Sequence, residues 1–241
     1  MRFEWAAATD RGRVREQNED STAPLGSGSD PGPFLAGVAD GMGGAVAGEV
    51  ASRTALDTAF AVGGDPVVRV QAANVAVIDA IREQPRLQGM GTTLTLADFR
   101  PDGTADIAHV GDSRAYLLRD GTLSQVTDDH SYVAEMVASG RLDPEDVDAH
   151  PYRNVVTRVI GIDPDLEVDH IELELQNRDR VLLCSDGLTT MLEDDRIAGI
   201  LGAEGRPEDV ARALVSAANE AGGLDNVSVV VVDVASGDGE G

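Results

Sequence analysis

The segment 227–232, which reads Val-Ser-Val-Val-Val-Val, constrains the fold more than any other part of the chain. Five of its six residues are β-branched, and such residues favour extended backbone. An apolar run without polar alternation predicts a strand that is buried on both faces. A strand of this kind has to lie in the middle of a sheet, with other layers of structure covering it.

Helical patterns occur between the predicted strands. Alanines recur every four residues over 47–59, in a pattern that starts near Ala45. They predict a helix whose smooth face can lie close on a sheet. A second helix should begin at Pro66, with Asp65 as its N-cap. The other predicted helices are a short one that ends at Gly140 and one that Pro207 opens.

Strand patterns with a period of two occupy much of the remaining sequence. The Asp-Gly pairs at 102–103 and 120–121 separate such runs and are predicted hairpin turns. Strands from both ends of the chain, with paired helices between them, predict two antiparallel sheets covered by helices. Besides 227–232, the predicted strands are 3–9, 34–40, 93–96, 105–108, 115–118, 166–175 and 179–185, and that at 34–40 is predicted to end on Asp40 before a glycine-rich turn.

We expect one domain over residues 1–235, because neither an internal repeat nor a linker divides the chain. Residues 26–33 are rich in glycine, serine and proline and are predicted to form a mobile loop. The irregular stretch 129–161 predicts an excursion from the core, a flap over a site. Residues 236–241 are predicted to be a disordered tail.

The charge balance of the chain excludes several classes of partner and activity. Nineteen basic residues against 43 acidic ones give a net charge of −24. Such a surface repels the phosphates of nucleic acids and anionic lipids, so we expect neither nucleic-acid binding nor membrane contact. All nineteen basic residues are arginines. Without a lysine, the chain cannot form a Walker A loop, a protein-kinase active site or a Schiff-base site.

The sequence also indicates a compartment. The first residues lack the charged-then-apolar layout of a signal peptide, and no apolar run approaches the length of a membrane span. The single cysteine, Cys184, excludes an internal disulfide and fits a reducing environment. We expect a cytoplasmic protein in which Cys184 is a core residue and not a nucleophile.

Four aspartates lie directly beside apolar strand runs, at places unlike the two predicted hairpins. An Asp-Gly pair alone is a common turn, so the repetition is what carries the argument. If the strand ends converge, four carboxylates face one another, and like charges at short range raise one another's pKa unless cations are present. Oxygen ligands select Mg²⁺ or Mn²⁺ over zinc. The four are Asp40, Asp112, Asp186 and Asp225.

The histidines and Arg15 complete the set of candidates. The four histidines are too scattered for a zinc site, and we expect them to be surface or packing residues. An arginine in a polar loop is usually solvated, but a guanidinium beside a metal cluster can bind two phosphate oxygens at once. Arg15 stands three residues before the run 18–20, Asn-Glu-Asp, which makes this second interpretation more specific.

Six short motifs follow one another from the first predicted strand to the last. They are Arg15-x-x-Asn18-Glu19-Asp20, then 38–44 (Val-Ala-Asp-Gly-Met-Gly-Gly), 91–93 (Gly-Thr-Thr), 110–114 (Val-Gly-Asp-Ser-Arg), 185–188 (Ser-Asp-Gly-Leu) and 225–228 (Asp-Asn-Val-Ser). In this order they resemble the metal-dependent type 2C Ser/Thr protein phosphatases, the PPM family, and most closely its bacterial members. The resemblance covers nearly the whole chain.

The resemblance implies an α+β fold, a four-layer α-β-β-α sandwich in which two antiparallel sheets are flanked by helix pairs. It also implies a site for two Mn²⁺ or Mg²⁺ ions at one end of the sandwich. By position, Asp40 would bridge both ions and the Gly41 carbonyl would bind one of them. Asp186 and Asp225 would hold the other, so these three aspartates are the expected catalytic residues.

Further roles follow from the same resemblance. Glu19 and Asp20 would act through metal-bound waters, and Arg15 would bind the substrate phosphate. Asp112 and Asp186 would hold a possible third, weaker ion. The variable flap of the family corresponds to 129–161.

One position departs from part of the family. Many eukaryotic members have a histidine after the Asp-Gly pair as a proposed general acid, whereas this chain has Met42, as bacterial relatives usually do. Which group protonates the leaving alkoxide is therefore open, with a metal-bound water and His130 as the two alternatives.

Together these features predict a monomeric protein-serine/threonine phosphatase that hydrolyses phosphoserine and phosphothreonine with a water activated by two metal ions. Its expected partners are phosphorylated proteins, among them Ser/Thr kinases and their substrates. Two alternatives stay open. One is an inactive relative that binds phosphoproteins, and the other is a hydrolase of small phosphorylated metabolites.

Overall fold

Two antiparallel sheets make up the centre of the structure, a computed structural model that describes residues 1–43, 47–147 and 149–236. The strands are β1 Arg2–Asp10, β2 Asp20–Ala23, β3 Ser27–Asp30, β4 Phe34–Met42, β5 Gly91–Thr92, β6 Leu94–Phe99, β7 Thr104–Val110, β8 Arg114–Arg119, β9 Thr122–Gln125, β10 Asp169–Glu174, β11 Arg180–Cys184 and β12 Val227–Ala235. The helices are α1 Ala47–Ala61, α2 Pro66–Glu83, α3 Tyr132–Ala138, α4 Asp186–Thr189, α5 Asp194–Leu201 and α6 Pro207–Glu220, with 3₁₀ turns at Pro85–Leu87 and Pro144–Asp146.

The strand β12 lies between β1 and β11 in the first sheet, whose order is β3-β1-β12-β11-β8-β9. The second sheet has the order β10-β7-β6-β4-β2, and β5 pairs with β4. The valines from Val227 to Val232 are fully buried, so the predicted central strand is confirmed. The hairpin turns at 102–103 and 120–121 are confirmed as well, since they join β6 to β7 and β8 to β9.

The layers follow from which face of each sheet is apolar. A middle core lies between the two sheets, a second core joins α1 and α2 to one sheet, and a third joins α4, α5 and α6 to the other. This is the predicted α-β-β-α sandwich. Ala51, Ala55 and Ala59 are fully buried on the face of α1 that contacts the sheet. Asp65 caps α2, its side chain accepting a hydrogen bond from the Val68 N–H, as the sequence predicted.

Several local predictions need correction. Residues 27–30 do not form a loop, because they are the strand β3, which pairs with β1. The glycine content of this segment does not indicate a loop. Gly28 packs closely against Trp5, where a Cβ would come within 2.6 Å of the indole. The helices α4 and α5 were not predicted. The start of the first helix near Ala45 and the tail 237–241 lie outside the described residues.

The segment 129–161, described except for residue 148, contains α3 and the second 3₁₀ turn. Two isolated bridges hold its ends, from Thr92 to Ile160 and from Ser131 to Val156. They place the segment beside the end of the sandwich where β4 ends. None of the described helices combines the length and the apolar character needed to cross a membrane.

Candidate metal centre

One cleft of about 450 Å³ at the end of the sandwich collects side chains from distant parts of the chain. Asp40 comes from inside β4, and Asp186 is the first residue of α4. Asp112 follows β7, and Asp225 precedes β12. The structure thus brings together all the predicted site residues except Asp20, which lies behind the cleft. The predicted residues that line it are Arg15, Glu19, Asp40, Gly41, Asp112, Asp186 and Asp225.

The backbone of Asp40 is fixed by the motif 91–93. The Asp40 N–H donates to the Thr93 hydroxyl at 2.9 Å, and the Asp40 carbonyl accepts from the Thr93 N–H at 2.9 Å and from the Thr92 hydroxyl at 2.8 Å. The next residue, Gly41, has no room for a side chain, because a Cβ would lie 2.1 Å from the Gly48 carbonyl oxygen. The Asp-Gly pair is therefore not a simple turn. It is a strand segment packed tightly on the start of α1.

Asp20 lies on β2 opposite Asp40 in the register of the second sheet. Its carboxylate crosses to the first sheet, where the Ser185 hydroxyl donates to it at 2.7 Å. Ser185 in turn accepts from the Ser228 N–H at 3.0 Å. Asp20 therefore connects the two sheets directly below the cleft.

The loop that carries Arg15 and Glu19 is fastened by Asn226, which sequence reasoning did not single out beyond its place in the Asp-Asn-Val-Ser motif. The Asn226 amide donates to the carbonyls of Arg11 and Gln17, at 2.9 and 2.8 Å, and its oxygen accepts from the Glu19 N–H at 2.8 Å. One asparagine thus fixes the conformation of a loop that has little regular structure of its own.

Arg15 is half exposed, and its Nη2 donates to Asp225 at 2.6 Å. The guanidinium therefore stands at the rim of the cleft, where it can reach a ligand that occupies the cleft. Its partner Asp225 is 30% exposed.

Apart from Asp225, which pairs with Arg15, the carboxylates in the cleft and the neighbouring Asp20 form no ion pair among the described residues. Burial raises the pKa of Asp20 and of Asp112 to about 7, and the neighbouring charge of Asp186 adds to both shifts. Burial, together with Asp20, Asp186 and Asp112, holds the pKa of Asp40 well above its usual range. The pKa of Asp186 is raised by burial and by Asp225. Buried carboxylates that repel one another in this way favour either protonation or cation binding.

The donor set fits hard divalent cations. Three buried carboxylate oxygens have no hydrogen-bond partner in the described part of the chain, namely Glu19 Oε1, Asp20 Oδ1 and Asp186 Oδ1. Burying such an atom without a partner costs free energy, so the orphaned oxygens of Glu19 and Asp186 in the cleft, with that of the neighbouring Asp20, point to ligands that supply positive charge. The residues that line the cleft include neither histidine nor cysteine. Oxygen donors alone suit Mg²⁺ or Mn²⁺ and not zinc.

A second group of possible ligands lies elsewhere, on β7 and β10. Asp106, His170 and Glu172 offer atoms within 4.8 Å of one another, and they are the only such group of three among the described residues. Asp106 is already paired with Arg100, while His170 and Glu172 are exposed. Ordinary ion pairing explains this group. Among the described residues, no three carboxylates of the cleft come that close together, although the side chains of Asp40 and Asp186 are hydrogen-bonded to each other.

Asn154 and Val156 also line the cleft, and they come from the segment 129–161. A cavity of about 580 Å³ adjoins the cleft and shares Asp112, Asn154 and Asp186 with it. His130, the proposed alternative proton donor, does not line the cleft and is only 5% exposed. Cys184 is buried in the core, as predicted, and burial raises the pKa of its thiol to about 12.

Comparisons with known proteins agree with this geometry. A family model described as protein phosphatase 2C matches residues 10–214. Serine/threonine phosphatase stp of Listeria welshimeri is 38% identical over 238 residues, which are 93% of each chain. Serine/threonine protein phosphatase PstP of Mycobacterium tuberculosis is 40% identical over 242 residues, which are 95% of this chain and 45% of PstP. The crystal structure of the PstP catalytic domain in complex with two manganese ions superimposes with a TM-score of 0.84 at 39% identity, covering 98% of this chain and 100% of that one.

Motif order, fold and sequence identity therefore agree over nearly the whole length of the chain. The predicted enzyme class, a metal-dependent serine/threonine protein phosphatase, is confirmed by these likenesses. The chain belongs to the protein phosphatase 2C family.

Proposed function

We propose that the cleft hydrolyses phosphoserine and phosphothreonine in proteins with two bound Mn²⁺ or Mg²⁺ ions. Asp40 would contact both ions, the Gly41 carbonyl one of them, and Asp186 and Asp225 the other. The observation that carries this proposal is the pair of orphaned, buried carboxylate oxygens of Glu19 and Asp186 in one cleft, with that of the neighbouring Asp20. Two bound divalent cations would supply a water of lowered pKa and positive charge for the phosphoryl oxygens.

The chain itself contributes the rigid arrangement of its carboxylates. Thr92 and Thr93 hold the backbone of Asp40 by three hydrogen bonds, and the link from Ser185 to Asp20 ties the two sheets together. Glu19 and Asp20 would orient waters of the ions and not contact the ions directly. Preorganised groups of this kind lower the barrier because they need not rearrange during the reaction.

Arg15 would bind the phosphate of the substrate. One of its nitrogens is held by Asp225, and half of the side chain remains exposed at the rim of the cleft. The remaining N–H groups of a planar guanidinium match two phosphate oxygens. The pairing with Asp225 fixes the orientation of the guanidinium before the substrate arrives, which lowers the entropy cost of binding.

The open form of the site supports a protein substrate. The cleft continues into the neighbouring cavity of about 580 Å³, which gives an extended peptide room on one side of the phosphorylated residue. A small phosphometabolite would leave that space unused. Asp112, which lines both cavities, would hold a third ion together with Asp186. Partners would be phosphorylated proteins of the cytoplasm, including kinases, and the enzyme would act as a monomer.

The decisive experiment is a Mn²⁺ titration of the cleavage of a phosphothreonine peptide, with excess chelator as the control. We expect cleavage that saturates with Mn²⁺ and stops in chelator. Sugar phosphates and nucleotides, tested in parallel, should be cleaved far more slowly than the peptide. Faster cleavage of the metabolites would favour the small-molecule alternative, and binding of the peptide without turnover would favour the inactive one.

A further inference from the structure

We propose that His130 is a positioning residue that fixes the peptide carrying Asp112 and couples it to the segment 129–161. This inference rests on the proposed role of the cleft. His130 stands at the start of the segment, its ring is buried, and it touches neither Asp112 nor the cleft directly. Its contacts run through the neighbouring backbone.

The first set of contacts holds Gly111, the residue before Asp112. The Gly111 N–H donates to Nδ1 of His130 at 3.1 Å, and the His130 N–H donates to the Gly111 carbonyl at 2.8 Å. One residue thus binds both sides of the same glycine. Gly111 has a φ of +113°, a conformation that other residues rarely adopt. The two bonds therefore stabilise an unusual backbone turn from which Asp112 enters the cleft.

The same turn is connected to Asp40 on its other side. The hydroxyls of Ser113 and Thr93 lie 2.7 Å apart, and Thr93 holds the backbone of Asp40. Hydrogen bonds on both sides of the turn 111–113, joined by its backbone, thus lead from His130 to Thr93 and Asp40. Displacing the turn would change the separation of Asp112 from Asp40.

The second set of contacts leads from the ring to the other end of the segment. Because Nδ1 accepts from a backbone amide, a neutral ring carries its proton on Nε2. Nε2 lies 3.1 Å from Asp169 at the start of β10 and 3.2 Å from the Arg158 guanidinium, which also donates to Asp169 at 2.7 Å. The His130 carbonyl accepts from the Thr157 N–H at 2.8 Å. Both ends of the segment are thus tied to the residue that holds the Asp112 turn.

These contacts argue against His130 as the general acid. Both ring nitrogens are engaged, Nδ1 by Gly111 and Nε2 by Asp169 on β10, and His130 does not line the cleft. A neighbouring histidine, His109, provides a matched comparison. Its ring lies 4.8 Å from that of His130, and it binds Thr95 and the Asp128 carbonyl but not Gly111.

Two substitutions separate the two sets of contacts. In His130→Asn the amide oxygen can replace Nδ1 as the acceptor for Gly111, while the contact with Asp169 is lost. In His130→Gln the longer amide can reach Asp169, while the acceptor for Gly111 is lost. We expect His130→Gln to lower kcat for the phosphopeptide about 10–100-fold, with a smaller change in KM, as is usual for residues that orient metal ligands. His130→Asn should retain most of the activity.

The controls separate positioning from general loosening. His109→Asn should lower Tm about as much as His130→Gln but leave kcat within about threefold, because His109 reaches the turn only through Thr95 and does not hold Gly111. Mn²⁺ affinity by calorimetry and hydrogen exchange of the Gly111 amide provide readouts that need no turnover. Both should change in His130→Gln and stay near wild type in His130→Asn.

Three outcomes would overturn the proposal. One is an equal loss of kcat in His130→Asn and His130→Gln, and another is an equal loss in His109→Asn. The third is unchanged exchange of the Gly111 amide in His130→Gln. If His130→Gln does not fold, Asp169→Asn tests the far contact alone, and a 10-fold loss of kcat in it would contradict the assignment of the main effect to Gly111. If the wild-type protein cleaves no phosphopeptide, the proposed function fails, whereas metal affinity and amide exchange still decide the role of His130.

Discussion

The two ends of β11 and β12 place aspartates in opposite electrostatic environments. At one end Arg119 donates two hydrogen bonds to the buried Asp179, at 2.9 and 2.6 Å, and Arg180 pairs with Asp233. At the other end Asp186 begins α4 with one carboxylate oxygen buried and without a hydrogen-bond partner in the described chain. Aspartates at or beside the ends of the same two strands are paired with arginines at one end, whereas at the other end Asp186 has no arginine partner among the described residues.

The aspartates that pair with arginine stabilise the fold, whereas those near the cleft are available to bind a ligand. A buried aspartate with a bidentate arginine is satisfied, and it needs no further ligand. An aspartate buried among other carboxylates lowers stability until a cation or a proton compensates its charge. The four predictions below test this contrast, from the largest expected effect to the smallest.

The largest effect should come from Asp186→Ala, which removes a proposed metal ligand. We expect the turnover of a phosphothreonine peptide in Mn²⁺ to fall at least about 1,000-fold, equivalent to about 4 kcal/mol of barrier. Asp233→Asn at the opposite end is the control, and it should keep the wild-type kcat per folded molecule. An Asp186→Ala variant with more than a tenth of the wild-type rate would remove this residue from the site.

The second test measures the free energy of unfolding without metal, where the larger loss is expected at the end with the arginine pairs. Asp179→Ala leaves the Arg119 guanidinium without its carboxylate and should lower the free energy of unfolding by about 3 kcal/mol. In the same urea denaturation experiment, Asp186→Ala should be neutral or stabilising, because it relieves repulsion in the metal-free protein. Equal losses in the two variants would show that the two ends do not differ as described.

Arg15 is the exception at the cleft end, since it pairs with Asp225. Arg15→Ala should lower kcat/KM for the phosphopeptide about 30-fold, or about 2 kcal/mol, through lost contacts to the phosphate. Arg15→Lys should recover only part of the loss, because a lysine lacks the planar fork. Arg13→Ala, which affects a nearby exposed arginine paired with Asp10, should have no effect. A full recovery in Arg15→Lys would contradict bidentate phosphate binding.

The smallest expected effect is on the pH dependence of stability, to which the buried carboxyls near the cleft should contribute. The pKa values of Asp20 and Asp112 are raised by burial from 3.8 to about 7, so the folded metal-free protein keeps protons that the unfolded chain releases. Stability should therefore fall as pH rises from about 4 to about 7 and then level off.

Thermal unfolding in chelator, followed across this pH range, measures the effect. Adding Mn²⁺ should raise Tm more at pH 8 than at pH 5, because fewer protons compete for the carboxylates. Asp112→Asn should flatten the metal-free profile. A metal-free Tm that rises between pH 5 and pH 7 would argue against buried, uncompensated carboxylates.

The sequence was sufficient where local chemistry determines structure. The valine run of β12, the Asp65 cap and the two Asp-Gly hairpins all reflect interactions within a few residues, and all are confirmed. The four aspartates could be singled out because each follows or precedes an apolar strand run, and the structure places them around one cleft.

The remaining features depend on contacts between residues that are far apart in the chain. The strand β3 forms because β1 offers it an edge and Trp5 covers its glycine, neither of which the segment itself encodes. Asn226 binds the backbone of Glu19, which lies 207 residues away in the sequence. No local sequence pattern predicts this contact. The sequence identified His130 only as a possible proton donor. Its hydrogen-bond partners are determined by the fold, so the sequence could not predict its contact with Gly111.

The cleft takes Asp40 from one sheet, Asp112 from the loop that joins the two sheets, and Asp186 and Asp225 from beside the ends of β11 and β12 in the other sheet. The distances between its carboxylates therefore depend on how the two sheets are aligned. The hydrogen bond from Ser185 to Asp20 joins the two sheets directly. A shear of one sheet past the other by a fraction of a hydrogen-bond length would dismantle the site while both sheets stayed folded. Catalytic activity in such a molecule depends on the interface between the two sheets and not on either sheet alone.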